Sequence, residues 1–228
     1  MSRGEIRVDG LTWRPLGRRR PTVAGLDLAV EPGQRVLLLG PSGAGKSTVL
    51  LALAGALGTT LAGDLAGTVR VGGRIGLVPQ SPADAIVAEH IGRDVAFGLE
   101  NAGLARDEIW RRVDAALVEV GLPYGRDHFV AALSGGELQR LVLAGVLALQ
   151  PDVMLLDEPT SMLDPGRAAD ARDAIVRAAG ERTLVVVEHR CEPWLEHVDR
   201  VLVMDAGGRI VADETPAAFA AGPAHEGV

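Results

Sequence analysis

The first third of the chain shows the apolar and polar pattern of β-strands separated by turns. Three segments bounded by Pro and Gly have this character: Ile6 to Trp13, Leu26 to Val30 and Arg35 to Leu39. A helix is predicted from Lys46 to about Gly55, directly after the third segment. The short apolar segments Thr68 to Val71 and Ile75 to Val78 enclose Gly72-Gly73, and this spacing predicts a β-hairpin.

Farther along, apolar residues recur at helical spacing with Arg and Asp on the opposite face. A helical insert is therefore predicted from about Ile91 to Val120, and another helix begins after Ser134. Beyond that helix, strands and a helix alternate again, which predicts a parallel sheet. These later elements are predicted at Val153 to Leu156, Asp170 to Ala179, Thr183 to Val187 and Arg200 to Met204.

The amino-acid composition and net charge exclude several classes of protein. The 228 residues are 47% hydrophobic, which suffices for one large core and one or two domains. A net charge of -7 argues against broad, nonspecific nucleic-acid binding, because such surfaces are basic. Cys191 is the single cysteine, which excludes an intrachain disulfide. No signal peptide is visible, and the longest apolar stretch, Leu141 to Leu149, is about half the roughly 20 residues that cross a bilayer.

The strongest chemical signal is the only lysine in the sequence. Lys46 lies in a segment that fits the Gly-x-x-x-x-Gly-Lys-Ser/Thr phosphate-binding loop, between an apolar strand and a helix. An ammonium reaches phosphate oxygens as a compact point charge, whereas a planar guanidinium would crowd a tightly folded loop. Glycines let backbone N–H groups point at the anion, and Ser47 is placed to ligate Mg²⁺. The predicted nucleotide-binding residues here are Gly40, Pro41, Ser42, Gly43, Ala44, Gly45, Lys46, Ser47 and Thr48.

Two adjacent carboxylates end a later apolar strand. Asp157 is predicted to hold hydrated Mg²⁺ from the side opposite Ser47, and Glu158 to polarise an attacking water. Acidic residues at a strand end are often only solvated loop residues. Together with the phosphate loop, the pair favours a site for nucleotide hydrolysis.

The segment Ser134-Gly135-Gly136-Glu137 begins a predicted helix. Taken alone it is a capping box, with Glu137 three residues after Ser134. Beside the other motifs it resembles the signature sequence of ATP-binding-cassette (ABC) ATPases, which contacts ATP bound by a second protomer. The resemblance covers the chain from about Ile6 to Ala220, and it implies an ATP-hydrolysing enzyme with ATP and Mg²⁺ as cofactors.

The same resemblance assigns roles to four further residues. Gln80 matches the Q-loop glutamine, which touches Mg²⁺ or the attacking water. Asp164 belongs to a segment, Ser161 to Asp164, that resembles the D-loop coupling the two sites. His189 resembles the switch histidine that contacts the γ-phosphate, although a lone histidine at a strand end is more often structural. Trp13 is the candidate for stacking on adenine, with a place in the core as the alternative.

A narrower resemblance concerns the membrane partners. The segments from Gln80 to Pro82, Asp94 to Asn101 and Glu158 to Pro165 are similar to the ATPase subunits of energy-coupling-factor (ECF) importers, which bring vitamins or transition-metal ions into prokaryotes. Ala85 stands where many of those proteins have a second glutamine. The resemblance implies a dimer with an identical or paralogous ATPase, integral membrane transport subunits with a separate substrate-binding component, no nucleic acid, and a place at the cytoplasmic face of the membrane.

The implied fold is an α/β P-loop NTPase of ABC type, with a mainly parallel sheet core, an N-terminal antiparallel β-subdomain and an inserted α-helical subdomain. A single domain is expected over 1–228, with 1–80 and 150–221 as nucleotide-binding core, about 81–149 as helical subdomain and 222–228 as a disordered tail. One alternative is a soluble ABC ATPase acting on DNA or ribosomes, which would need a long coiled coil or two cassettes. The other is a P-loop kinase or GTPase, which would not need the signature segment or His189.

Overall fold

The computed structural model describes residues 1–161 and 163–222. Residue 162 of the predicted D-loop and residues 223–228 of the predicted tail lie outside the described residues. The strands are β1 (Ile6–Pro15), β2 (Val23–Val30), β3 (Arg35–Leu39), β4 (Gly63–Val71), β5 (Ile75–Val78), β6 (Val153–Asp157), β7 (Thr183–Val187), β8 (Arg200–Met204) and β9 (Ile210–Glu214). The α-helices are α1 (Lys46–Leu53), α2 (Ile91–Asn101), α3 (Arg106–Glu119), α4 (Gly135–Ala148), α5 (Pro165–Ala179) and α6 (Pro216–Ala221), and short 3₁₀ helices lie at Pro82–Ala85, Val130–Ala132 and Glu192–His197.

The strands form two sheets. In the three-stranded sheet β1 lies between β2 and β4 and is antiparallel to both. The six-stranded sheet has the order β5-β6-β7-β3-β8-β9. Within it β6, β7, β3 and β8 are mutually parallel, whereas β9 runs antiparallel to β8. The predicted fold class, a mainly parallel core with an antiparallel β-subdomain, is confirmed.

Residue contacts divide the chain into two compact units. Among the described residues, the sheet unit contains Met1–Leu77, Asp152–Glu158 and the residues from Glu181 to Gly222, and the helical unit contains Val78–Pro151 and those between Pro159 and Gly180. In the sheet unit, apolar side chains of β1, β2, β3, β6, β7 and β8 form one core with those of α1. In the helical unit α4 packs against α2, α3 and α5. No helix among residues 1–161 and 163–222 is long and apolar enough to span a membrane.

The hairpin predicted around Gly72-Gly73 is wrong, because β4 and β5 belong to different sheets. The Gly72 N–H donates to the Glu5 carbonyl at 2.8 Å, so the chain stays beside the N-terminal segment instead of turning back on itself. At Gly73, with φ 95°, a Cβ atom would lie 2.2 Å from Oδ2 of Asp152. The next N–H, of Arg74, donates to the same Asp152 oxygen at 2.8 Å. The two glycines therefore carry the chain from one sheet to the other.

Two further differences concern helix and strand limits. The predicted helical insert from Ile91 to Val120 is two helices, because α2 ends at Asn101 and Gly103 adopts φ 71°. The elements β9 and α6 have no counterpart in the prediction. Residues of β9 are only half-buried or exposed, and α6 contains no buried residue, so neither produces a strong apolar pattern.

The fully buried hydroxyl of Thr183, in β7, is hydrogen-bonded to two other segments of the sheet unit. The Thr183 hydroxyl donates to the Gly4 carbonyl at 2.6 Å and accepts from the Gly33 N–H at 2.9 Å.

Replacing Thr183 by Val keeps the shape of the side chain but leaves both backbone groups without that hydrogen-bond partner. We expect the free energy of unfolding, measured by urea denaturation, to fall by about 3 kcal/mol, since each unsatisfied buried group costs roughly 1–3 kcal/mol.

The matched control is Thr183→Ser, which keeps the hydroxyl and removes one methyl group. Its expected loss is about 1 kcal/mol. A Val variant at least as stable as the Ser variant would contradict the role given to the hydroxyl.

Candidate active site

The phosphate loop joins a buried strand to a helix. β3 supplies four fully or almost fully buried residues, and α1 begins directly after the loop at Lys46. Gly45, the residue before α1, has φ 94°, and a Cβ atom there would lie 2.7 Å from the Thr22 carbonyl oxygen. At Gly40 a Cβ atom would lie 2.5 Å from the Met204 carbonyl oxygen. Within the part of the chain that the structure describes, no side chain caps the N-terminus of α1, so its first N–H groups are free to bind an anion at the loop.

Lys46 is folded into this loop. Its side chain is buried, with the whole residue 5% exposed, and Nζ donates to the carbonyl oxygens of Gly40 at 2.7 Å and Pro41 at 3.1 Å. Burial lowers the pKa of Lys46, while the negative charges of Glu158 and Asp157 oppose that shift. The ammonium is therefore held among acceptors and close to two carboxylates, in a position where it can meet a phosphate.

Asp157 has the properties of a cation ligand. Burial raises the pKa of its carboxyl group, and a hydrogen bond with the Ser47 side chain opposes that shift. Oδ1 of Asp157 is buried and has no hydrogen-bond partner among the described residues. A buried oxygen without a partner is costly unless something binds it, and Mg²⁺ prefers oxygen ligands such as carboxylates and hydroxyls. Asp157 and Ser47 therefore fit a magnesium ion bound beside the phosphate loop.

Glu158 and His189 form a hydrogen-bonded pair at the carboxyl ends of neighbouring strands. Nε2 of His189 lies 2.8 Å from Oε1 of Glu158, whose side chain is only 11% exposed. Glu158 has φ 47°, unusual for a residue with a side chain, and its N–H donates to the Val187 carbonyl at 2.9 Å. Unusual backbone angles of this kind concentrate at functional sites, where the surrounding structure holds them. The pair thus lies directly beside Asp157, the last residue of β6.

The signature segment lies in the helical unit, at the start of α4. Ser134 is the N-cap of α4 and Glu137 completes the capping box. The Glu137 carboxylate accepts the Ser134 N–H at 2.8 Å and the Ser134 hydroxyl at 2.7 Å. Beyond its chain neighbours and the backbone of its own helix, a Cβ atom on Gly135 or Gly136 would meet no atom of the described residues within 4 Å, so the backbone here is open to an approaching group. The capping function and a ligand-binding function are therefore compatible.

The remaining predicted residues differ in exposure and in their contacts. Gln80 is exposed at the start of the helical unit, after β5. Asp164 is the N-cap of α5, and its side chain accepts the Arg167 N–H at 3.1 Å. Trp13 is 3% exposed in the core of the sheet unit. This position contradicts the predicted stacking on adenine, because the ring has no free face, and it agrees with the alternative of a core residue.

The structure thus brings five predicted residues together in the sheet unit and the signature residues together in the helical unit. The five are Lys46, Ser47, Asp157, Glu158 and His189. Sequence reasoning missed the backbone carbonyls of Thr22 and Met204 that confine the loop glycines. It also missed Tyr124, whose hydroxyl donates to Oε1 of Glu137 at 2.6 Å. Its only sequence signal was that Tyr124 is the single tyrosine of the chain.

Comparison with known proteins points to one family. Residues 23–161 match the family described as ABC transporter. A Pyrococcus horikoshii protein named as an ABC transporter ATP-binding protein is 38% identical over 226 residues, covering 92% of this chain and 79% of that protein. A Methanosarcina acetivorans protein named likewise is 36% identical over 227 residues, and there the match covers 93% of this chain but only 37% of the relative.

Two solved structures of ABC transporter proteins are also similar to this chain. The structure of cbiO1 from Clostridium perfringens, described as part of the ABC transporter complex cbiONQ, has a TM-score of 0.79 at 27% identity, covering 95% of this chain and 90% of that chain. A bacterial Atm1-family ABC exporter with ATP bound has a TM-score of 0.75 at 29% identity, covering 94% of this chain and 39% of that chain.

The phosphate loop, the acidic pair and the parallel sheet define a P-loop NTPase. The comparisons identify one family within the P-loop NTPases. The chain belongs to the ABC transporter family and is an ATP-binding, ATP-hydrolysing subunit. The resemblance drawn from the motifs is confirmed at this level.

Proposed function

We propose that this chain is the ATPase subunit of an ECF-type importer and couples ATP-driven dimer closure to uptake of a micronutrient, a vitamin or a transition-metal ion. The observation that supports this most is the similarity to cbiO1, which extends over 95% of this chain and 90% of that protein. The segments Asp94 to Asn101 and Glu158 to Pro165, which resemble those of ECF ATPases, support the same proposal. The chain would work at the cytoplasmic face of the membrane.

The chemistry assigned to the sheet unit is hydrolysis of the γ-phosphate of ATP. Backbone N–H groups of residues 40–48 and the Lys46 ammonium would bind the phosphates. Ser47 and Asp157, with Gln80, would hold Mg²⁺, which when bound neutralises phosphate charge. Glu158 would accept a proton from the attacking water, and the bond from His189 would fix the carboxylate in the orientation that this transfer needs. His189 is also proposed to contact the γ-phosphate.

A second protomer, identical or paralogous, would complete each site. Ser134, Gly135, Gly136 and Glu137 would contact ATP held by the partner's phosphate loop, and Asp164 would lie between the two sites. The open surroundings of Gly135 and Gly136 support this, since a phosphate can approach that backbone closely. ATP would then favour the closed dimer because only ATP offers a γ-phosphate to the signature segment.

A groove in the helical unit supports binding to a membrane subunit. Its volume is about 610 Å³, and the described residues that line it are apolar apart from Glu89. Phe129, one of them, is 56% exposed. Such a site suits a short amphipathic helix that carries one basic residue. Leu133 and Leu138 line the groove and flank the signature segment on both sides. A helix bound there would therefore act directly on the residues that meet the partner's ATP.

The proposal is tested by purifying the tagged chain from detergent-solubilised membranes of its own host. We expect integral membrane proteins in stoichiometric amount, and an ATPase rate in that complex that responds to a vitamin or a transition-metal ion. Phe129→Ser should reduce recovery of the membrane proteins by about tenfold or more, because buried aromatic anchors dominate such interfaces. Val118→Ser, at a position 78% exposed on α3 and outside the groove, is the control and should recover them normally.

One result would reject the importer assignment, and another would reject the groove as its docking surface. Purification without any membrane protein, together with ATPase activity stimulated by DNA or ribosomes, would favour a soluble ABC ATPase. Equal recovery with the Phe129 and Val118 variants would show that the groove is not the docking surface.

A further inference from the structure

Tyr124 is joined to the signature segment by a short chain of hydrogen bonds. Its hydroxyl donates to Oε1 of Glu137 at 2.6 Å, and its ring is stacked on the His128 ring with centroids 3.9 Å apart and planes inclined by 6°. The other oxygen of Glu137, Oε2, accepts both the N–H and the hydroxyl of Ser134. A single carboxylate thus links Tyr124 to Ser134.

The Glu137 carboxylate stays ionised at any physiological pH. The hydrogen bond from Tyr124, followed by those from Ser134, lowers the pKa of Glu137 to about 2. An ionised carboxylate only accepts hydrogen bonds, so the Ser134 hydroxyl must be the donor in their contact. Because a hydroxyl carries one hydrogen, Ser134 cannot donate to Glu137 and to a phosphate oxygen at the same time.

We propose that Tyr124 is a positioning residue that allows Ser134 to turn its hydroxyl from Glu137 to the nucleotide of the second protomer. This inference rests on the proposed contact between Ser134 and ATP. When the Ser134 hydroxyl releases Glu137, the carboxylate loses one of its donors and keeps the Tyr124 hydroxyl and the Ser134 N–H. Without the Tyr124 hydroxyl, the Ser134 N–H would be the one of these donors left after that release, so the bond from the Ser134 hydroxyl becomes costlier to break. Stacking on His128 keeps the tyrosine ring in place throughout.

The test compares Tyr124→Phe with the wild-type chain. Phenylalanine keeps the stacked ring and removes only the hydroxyl. We expect the ATP concentration that half-saturates hydrolysis, and the concentration that drives dimer formation in the Glu158→Gln background, to rise about tenfold. Binding of a fluorescent ATP analogue to the monomer should be unchanged, because the phosphate loop is in the other unit. Urea denaturation should show a chain that still folds cooperatively, with no more than the loss of stability expected for one hydrogen bond.

A double-mutant cycle tests whether the effect of Tyr124 depends on Ser134. If Tyr124 acts through Ser134, Tyr124→Phe should change nothing further in a Ser134→Ala chain. Full additivity of the two substitutions, or a Tyr124→Phe chain that closes and hydrolyses like wild type while Ser134→Ala is defective, would overturn the inference. A Ser134→Ala chain with normal ATP-driven dimer formation would instead reject the proposed function of the signature segment, and the inference with it.

Discussion

Replacing Glu158 by Gln should leave ATP binding intact and slow hydrolysis by about 10²- to 10⁴-fold, the usual contribution of a positioned general base. Glutamine has nearly the same shape but cannot accept the proton of the attacking water. Its amide can still meet Nε2 of His189, which lies 2.8 Å from the Glu158 carboxylate. The substitution therefore separates the chemical step from the architecture of the site. The measurements are phosphate release at saturating ATP and the dimer fraction in size-exclusion chromatography.

With the chemical step blocked, the chain should accumulate as an ATP-bound dimer. Glu119→Gln makes the same chemical change at an exposed position of α3 and serves as the control, with hydrolysis expected at the wild-type rate. Near-normal turnover of the Glu158 variant would show that another group accepts the proton.

Replacing Lys46 should be nearly as damaging, whether or not the charge is kept. Lys46→Ala removes the ammonium, and we expect hydrolysis to fall by about 10²- to 10³-fold, as when other preorganised donors to transition-state charge are removed. Lys46→Arg keeps the charge but should also fail. The residue is 5% exposed with Nζ 2.7 Å from the Gly40 carbonyl, so the loop has no room for a planar guanidinium.

The measurements are ATP affinity and phosphate release for both Lys46 variants. Arg106→Lys, a basic exchange at an exposed position of α3, is the control and should behave as wild type. Hydrolysis by Lys46→Ala at the wild-type rate would refute the assignment of the loop. Full activity of Lys46→Arg alone would mean that charge, and not shape, is what the loop requires.

Elements with a strong local signal were predicted well. β3, β7 and β8 have the predicted limits, because each is a continuous apolar run buried within the parallel sheet. The phosphate loop and the acidic pair were found for a similar reason, since each follows such a strand. Exposed edge elements such as β9 lack this signal, and the sequence analysis missed them.

Features that depend on contacts between distant residues could not be predicted. Gly72-Gly73 has the composition of a hairpin turn, but the partners that decide its path are Glu5 and Asp152. Whether Trp13 is surface or core depends in the same way on neighbours across the sheet, including Gly63. The contact of Tyr124 with Glu137 spans thirteen residues with no regular spacing, so no periodicity reveals it. For Ser134 the capping box and the signature were both visible, and the structure accommodates both.

The confinement of Lys46 gives this protein an unusual labelling chemistry. Reagents that acylate or reductively methylate amines find one lysine side chain in the sequence, and that amine is buried in the phosphate loop. A ¹³C-methyl group placed on it would give one lysine signal in an NMR spectrum, without assignment by mutagenesis. Amine-directed crosslinkers, by contrast, would leave the rest of this arginine-rich surface unmapped.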